Sequence, residues 1–151
     1  MPFFDFTFTV NAPLEAVAAF HENTNALKKL NPPFVIVQLH RVDPMAEGSI
    51  SEFTLWMGPL PIRWRAVHSS IGSHGFTDTQ ESGPLKSWRH KHCFEALDDM
   101  TTQIYEHIEY EFQSGWRGLL TRILFGRLGL IALFTYRKWA TQRALRSNKI
   151  K

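Results

Sequence analysis

Between Trp116 and Arg146, apolar residues recur every three or four positions and no proline interrupts them. Leu119, Leu120, Ile123, Leu124, Leu128, Ile131, Phe134 and Trp139 set this spacing, which predicts one long helix over about 116–146 with a broad apolar stripe. A helix of this kind must bury its stripe against another element. The chain ahead of Gly115 supplies that element, because its apolar and polar residues alternate in short segments, as in strands with one face turned inward.

The first such segment has Phe4, Phe6, Phe8 and Val10 alternating with Asp5, Thr7 and Thr9. Asn11-Ala12-Pro13 ends it and opens a short helix, with Asn11 or Ala12 near the cap, Pro13 in the first turn and Val17 and Phe20 inward. Residues 24–30 fit a second short helix, which Pro32-Pro33 stops. Strands are predicted at 34–41, 50–57, 62–69, 74–80, 85–96 and 101–112, with Gly58-Pro59-Leu60-Pro61 reading as a connection outside the ladder. The expected architecture is α+β, one domain over 1–151: a seven-stranded antiparallel sheet wrapped around the C-terminal helix, with two short helices after the first strand. Such a sheet cannot close fully on one helix, so a pocket between them is expected.

Charge is divided unevenly along the chain. Residues 1–114 carry all 14 acidic groups and a net charge of −6, whereas residues 115–151 carry 9 basic groups and no acid. The basic excess, which runs into a tail at 147–151, suits the negative end of a helix dipole or an anionic membrane surface. Spread along an apolar helix and outside any nucleic-acid motif, it does not point to DNA or RNA. The uninterrupted apolar run Leu128–Phe134 has only seven residues between Arg127 and Arg137, too few to span a bilayer. The single cysteine, Cys93, excludes an intramolecular disulfide, and the opening Met-Pro-Phe-Phe-Asp has no basic flank before an apolar run. A cytoplasmic protein is the expectation.

Strand parity picks out the residues that carry chemistry. On 85–96, Trp88, His90, His92 and Phe94 share the apolar face, with Arg89, Lys91, Cys93 and Glu95 opposite. On 101–112, Ile104, Glu106, Ile108, Tyr110 and Phe112 turn inward. A three-residue loop at 98–100 then sets His92 opposite Glu106 and Trp88 opposite Tyr110. Asp78 and Gln80 can face the same space, and Ile62, Trp64, Ala66 and His68 share one face of their own strand.

His90, His92 and Glu106 therefore meet inside, and three roles stand open for them. They can satisfy one another as a buried polar cluster. They can form the polar end of a ligand pocket walled by Trp56, Trp64, Phe76, Gln80, Trp88, Ile108 and Tyr110 from the sheet and Leu124, Leu128 and Ile131 from the helix. They can also be catalytic, with histidine or carboxylate moving a proton. Two histidines and a carboxylate resemble a facial metal triad, but no further ligand is identifiable, so neither metal nor cofactor is expected. Cys93 lies on the outer face with no activating neighbour in view. Leu130, Leu133 and Tyr136, outside the helix stripe, can serve a homodimer contact or lie beneath the short helices.

The order of motifs resembles the START-like, or SRPBCC, superfamily with its helix-grip fold. The resemblance rests on Phe8-Thr9-Val10-Asn11-Ala12-Pro13-Leu14-Glu15-Ala16-Val17, then Phe76-x-Asp78-x-Gln80-x-x-Gly83-Pro84-x-x-x-Trp88-x-His90-x-His92-x-Phe94. Glu106-x-Ile108-x-Tyr110 and Phe134-x-Tyr136-Arg137 continue it. The middle and closing motifs look like a bacterial ligand-binding subgroup related to polyketide cyclases and dehydratases. Where that subgroup carries a Pro-Phe-Gly turn after the last strand, this chain has Phe112-Gln113-Ser114-Gly115. The resemblance implies binding of a hydrophobic or amphipathic small molecule: a lipid, a polyketide or a quinone-like compound. It also allows a cyclase or dehydratase using His92 and Glu106, or a membrane-surface or partner-binding module using the basic helix.

Overall fold

The computed structural model describes residues 2–23 and 26–147. Strand β1 (Phe3–Val10) leads into helix α1 (Leu14–Glu22) and the single turn α2 (Ala26–Lys29). Then come β2 (Val35–Val42), β3 (Ile50–Met57), β4 (Leu60–Gly72), β5 (Gly75–Ser82), β6 (Ser87–Asp98) and β7 (Thr101–Glu111). Two helices, α3 (Gly115–Phe125) and α4 (Arg127–Ser147), close the chain. The strands form one antiparallel sheet in the order β1-β7-β6-β5-β4-β3-β2, so the first strand returns to pair with the last.

Local chemistry adjusts several expected boundaries. Pro13 sits at the N-cap of α1 rather than inside its first turn, and its carbonyl accepts the amide hydrogens of Ala16 and Val17. The start of the second predicted helix, Thr24 and Asn25, lies outside the described residues, as does the basic tail from Asn148 onward. Leu60 and Pro61 belong to the ladder after all, paired with Met57 and Trp56 across a two-residue turn at Gly58-Pro59. Pro61 is tolerated because β5 begins pairing with β4 only at Arg65, which leaves the proline an open edge. The β6–β7 hairpin has the expected even register, with His92 opposite Glu106 and Trp88 opposite Tyr110. A bulge between Ala96 and Asp98 absorbs the odd residue.

The C-terminal segment departs furthest from expectation. It is two helices, not one, because Gly126 is extended (φ −69°, ψ 175°) and a Cβ there would lie 2.2 Å from the Arg122 carbonyl oxygen. The break shifts the phase of the buried face. Leu130 and Phe134 are fully buried, whereas Leu128 of the expected stripe is 83% exposed, and Leu119, Leu120, Ile123, Ile131 and Trp139 are exposed with it. Leu133 and Tyr136 are half-buried. Leu130 thus belongs to the core rather than to a dimer contact.

Two apolar clusters fill the space between sheet and helices. One gathers Phe4, Phe53, Trp64, Trp88, Ile108, Tyr110, Phe125, Leu130 and Phe134. The other joins Phe8, Val10, Val17, Phe76, Phe94, Ile104 and Leu145. On β6 and β7 the stretch between the two clusters is occupied by His90, His92 and Glu106.

Candidate functional site

Four neighbouring strands deliver polar side chains to that gap. His68 on β4 pairs in register with Asp78 on β5, Asp78 pairs with His90 on β6, and His92 pairs with Glu106 on β7. All lie on the inward face, because the residues beside them in alternation are the core aromatics. Gly75 makes this close approach feasible: it has φ +133°, and a Cβ there would fall 1.8 Å from the His92 carbonyl oxygen.

The side chains form a continuous run. Ser49 Oγ lies 3.1 Å from His68 Nδ1, and His68 Nε2 lies 2.9 Å from Asp78 Oδ1. His92 Nε2 donates to Asp78 Oδ2 at 2.9 Å, and its Nδ1 stands 3.0 Å from Glu106 Oε2, off the angle of a good hydrogen bond. His90 Nε2 meets the same Glu106 oxygen at 2.6 Å. The His90 and His92 rings are 3.8 Å apart, and His92 stacks on Phe76 at 4.2 Å.

Electrostatics splits the two imidazoles. Burial opposes the charge on His92, but Glu106 and Asp78 outweigh it and push its pKa up to about 9. Burial and the neighbouring His92 charge hold His90 down to about 4, against the pull of Glu106. His21, on α1, is held at about 4 for the same two reasons; its Nδ1 lies 2.8 Å from the Val17 carbonyl oxygen. Burial alone would raise both carboxyls, yet His92 and His90 keep Glu106 well below the usual range, and His68 and His92 do the same for Asp78. At neutral pH two carboxylates thus hold a charged His92 between them beside a neutral His90.

Arg137 completes the site from α4. Its Nε donates to the Leu30 carbonyl at 3.3 Å and its guanidinium sits 5.2 Å from the Phe134 ring. Burial lowers its pKa while Glu106 and Asp78 oppose that, and no carboxylate among the described residues comes within ion-pair distance of it.

His21, His68, Asp78, His90, His92 and Arg137 line a cavity of about 550 Å³ between the sheet, the short helices and the C-terminal helices. Of the residues expected in its wall, Trp64, Phe76, Trp88, His90, His92 and Leu124 line it. Glu106 sits behind the two histidines, and Ile108 and Tyr110 are buried in the core beneath. Four expected residues are elsewhere. Trp56 donates to Gln38 near a separate hollow, and Gln80 bridges both backbone groups of Leu85. Leu128 and Ile131 face outward because of the break at Gly126.

His21, His68 and Arg137 also line the cavity, beyond the residues expected in its wall. His68 shares inward parity with Trp64 and Ala66, and Arg137 follows Phe134 by three positions, on the same side of α4. An arginine on an apolar helix face was the available signal. His21 lies one turn beyond Val17 and had a similar one.

Asp78, His90 and His92 bring donor atoms within 4.8 Å of one another, near enough to share a metal ion. Both nitrogens of His92 already face carboxylate oxygens, however, which is the arrangement of an imidazolium. Metal binding there would first have to remove that proton.

No protein-family model matches the sequence, and no curated protein matches it either. Solved structures match in shape. The Zhui aromatase/cyclase from Streptomyces sp. R1128 superposes with a TM-score of 0.69 at 17% identity, over 97% of this chain and 92% of that one. A point mutant of norcoclaurine synthase from Thalictrum flavum, in complex with a transition-state analogue, gives 0.70 at 14% identity, over 98% and 96%. A protein from Thermus thermophilus gives 0.71 at 16% identity, over 95% and 99%. The chain shares the helix-grip fold of these structures. On this frame the chain carries a carboxylate-bracketed histidine pair and an arginine on α4.

Proposed function

We propose that this helix-grip protein binds an amphipathic small molecule, with the apolar body in the cavity and an oxygen-bearing head at His90, His92 and Arg137. Lipids, polyketides and quinone-like compounds have this form. The observation that carries the reading is the cavity itself: a largely apolar space of about 550 Å³ into which His90, His92 and Arg137 bring polar groups, a size suited to a ligand of this class. Among the described residues Arg137 donates only its Nε–H, to the Leu30 carbonyl, and a donor from its remaining N–H groups to a charged or carbonyl head contributes roughly 1.5 to 3 kcal/mol. Native mass spectrometry of the purified protein, with titration of fatty acids and isoprenoid quinones, tests the proposal. A bound species or a micromolar binder is expected, and Arg137→Ala should weaken binding about tenfold or more. No bound species and no binder at micromolar concentration would refute it.

A second reading draws on one observation, the adjacent imidazoles held in opposite protonation states. Neutral His90 is a base and charged His92 an acid, the pairing that proton-transfer sites use. On this reading the protein catalyses a polyketide-type cyclisation or dehydration, with Glu106 orienting both rings. Turnover would then hold between limbs near pH 4 and pH 9, and Glu106→Gln would abolish it while the protein stayed folded. A Glu106→Gln protein that folds and retains turnover would exclude this mechanism.

A further inference from the structure

The outer faces of α3 and α4 carry large apolar side chains in contact with solvent. Trp116, Leu119, Leu120 and Ile123 recur at helical spacing along α3, and Leu128, Ile131 and Trp139 do so along α4; all seven are exposed. Arg117, Arg122, Arg127, Lys138 and Arg146 are exposed among them, and Arg117 lies 5.7 Å from the Trp116 ring. No acidic residue occurs anywhere in 115–151. Ile123 at 68% exposure and Phe34 at 72% belong to the cavity wall and reach the surface, as do Glu22, Asn23 and Ala132, so the cavity opens to solvent beside α3 and the loop ahead of β2.

We infer that this face docks on the surface of an anionic lipid bilayer, with the cavity mouth against the membrane. Apolar side chains set among cations are the pattern of a helix lying in the headgroup layer. The same charge argues against a second copy, because two such faces would bring basic residues together with no acid to offset them. By length and composition, Gly115–Arg146 resembles a membrane-crossing helix. Its other face, however, is committed to the sheet, where Phe134 packs 5.6 Å from Phe4 and Leu130 is fully buried. Lying on the membrane uses one face and leaves the other in the core. The inference rests on the surface alone and holds whether or not the cavity carries a ligand.

Co-sedimentation of the full chain with vesicles tests it, comparing phosphatidylcholine alone with phosphatidylcholine mixed with phosphatidylglycerol. Expected is binding to the anionic vesicles that falls with salt, with tryptophan fluorescence quenched by brominated acyl chains. Arg122→Glu with Arg127→Glu should weaken partitioning more than tenfold, since each basic residue near such a surface is worth about fivefold. Leu119→Asp with Leu128→Asp should weaken it comparably without touching core or cavity, and Trp116→Phe should remove much of the quenching. No binding to anionic vesicles at low salt would overturn the inference. So would binding without quenching, or a solution dimer that shields Trp116. Should a variant fail to fold, quenching of the unmodified protein decides.

Discussion

The polar run across β4 to β7 and the outer face of α3–α4 solve opposite problems. Inside, Glu106 is buried and Asp78 partly so, and each has two histidines within reach, so neither carboxylate stands alone. Outside, the helices expose large apolar side chains beside cations and no anions. The carboxylates and histidines of the first region hold one another's charge and should behave as a unit, whereas the second region sets cations beside apolar side chains with no anion of its own. Charge pairing therefore holds the carboxylate–histidine run together from within, and its absence on α3–α4 marks the surface left for an outside partner.

The strongest way to break this contrast is to unpair the inner network. Glu106→Ala leaves His92 and His90 without their shared acceptor and should destabilise the protein by about 3 to 5 kcal/mol in urea denaturation. A loss under about 1 kcal/mol would mean that the network is not a unit. Next comes a pair of substitutions two residues apart on α4. Leu130→Ala should cost about 3 kcal/mol by opening a cavity, and Leu128→Ala less than about 0.5 kcal/mol. Equal costs would mean the helix is rotated from the orientation described.

The pH dependence of stability sharpens the same point. His92, raised to about 9 in the fold, adds stability that is complete below its unfolded pKa near 6.5 and is lost as the pH climbs through 9. His21 and His90, held near 4, act in reverse. As the pH drops from 6.5 towards 4, the unfolded chain takes up protons that these folded rings refuse. Asp78 and Glu106, with depressed pKa values, extend the loss on the acid side. The thermal midpoint should therefore peak near pH 6.5, with an alkaline fall on the order of 2 to 3 kcal/mol that Glu106→Gln reduces. A flat profile from pH 6.5 to 9 would show that His92 is not charged in the fold. The smallest effect expected is at Trp56, where substitution by phenylalanine should change ligand affinity less than about twofold, because the side chain lies off the cavity.

Much of the inner region was legible in the chain. Alternation with period two gives each strand residue only two options, and the apolar neighbours of His90, His92 and Glu106 chose between them. Hairpin register then needed only the parity of the turn. The outer region was not legible in this way. Nearly every position from 116 to 139 that is not basic is apolar or small, so several stripes fit a period of 3.6 and none excludes the others. One glycine decided the matter: the break at Gly126 moved Leu130 inward and Leu128 outward.

By itself the sequence determined the antiparallel sheet, the order of elements and the inward set on the β6–β7 hairpin, because these follow from local alternation and steric rules. Only the tertiary structure decided which helix face is buried, that His21, His68 and Arg137 join the site, and that His90 and His92 differ in charge. Those outcomes depend on distances between residues far apart in the chain. Burial and Coulomb interactions act through space, and no one-dimensional pattern records them.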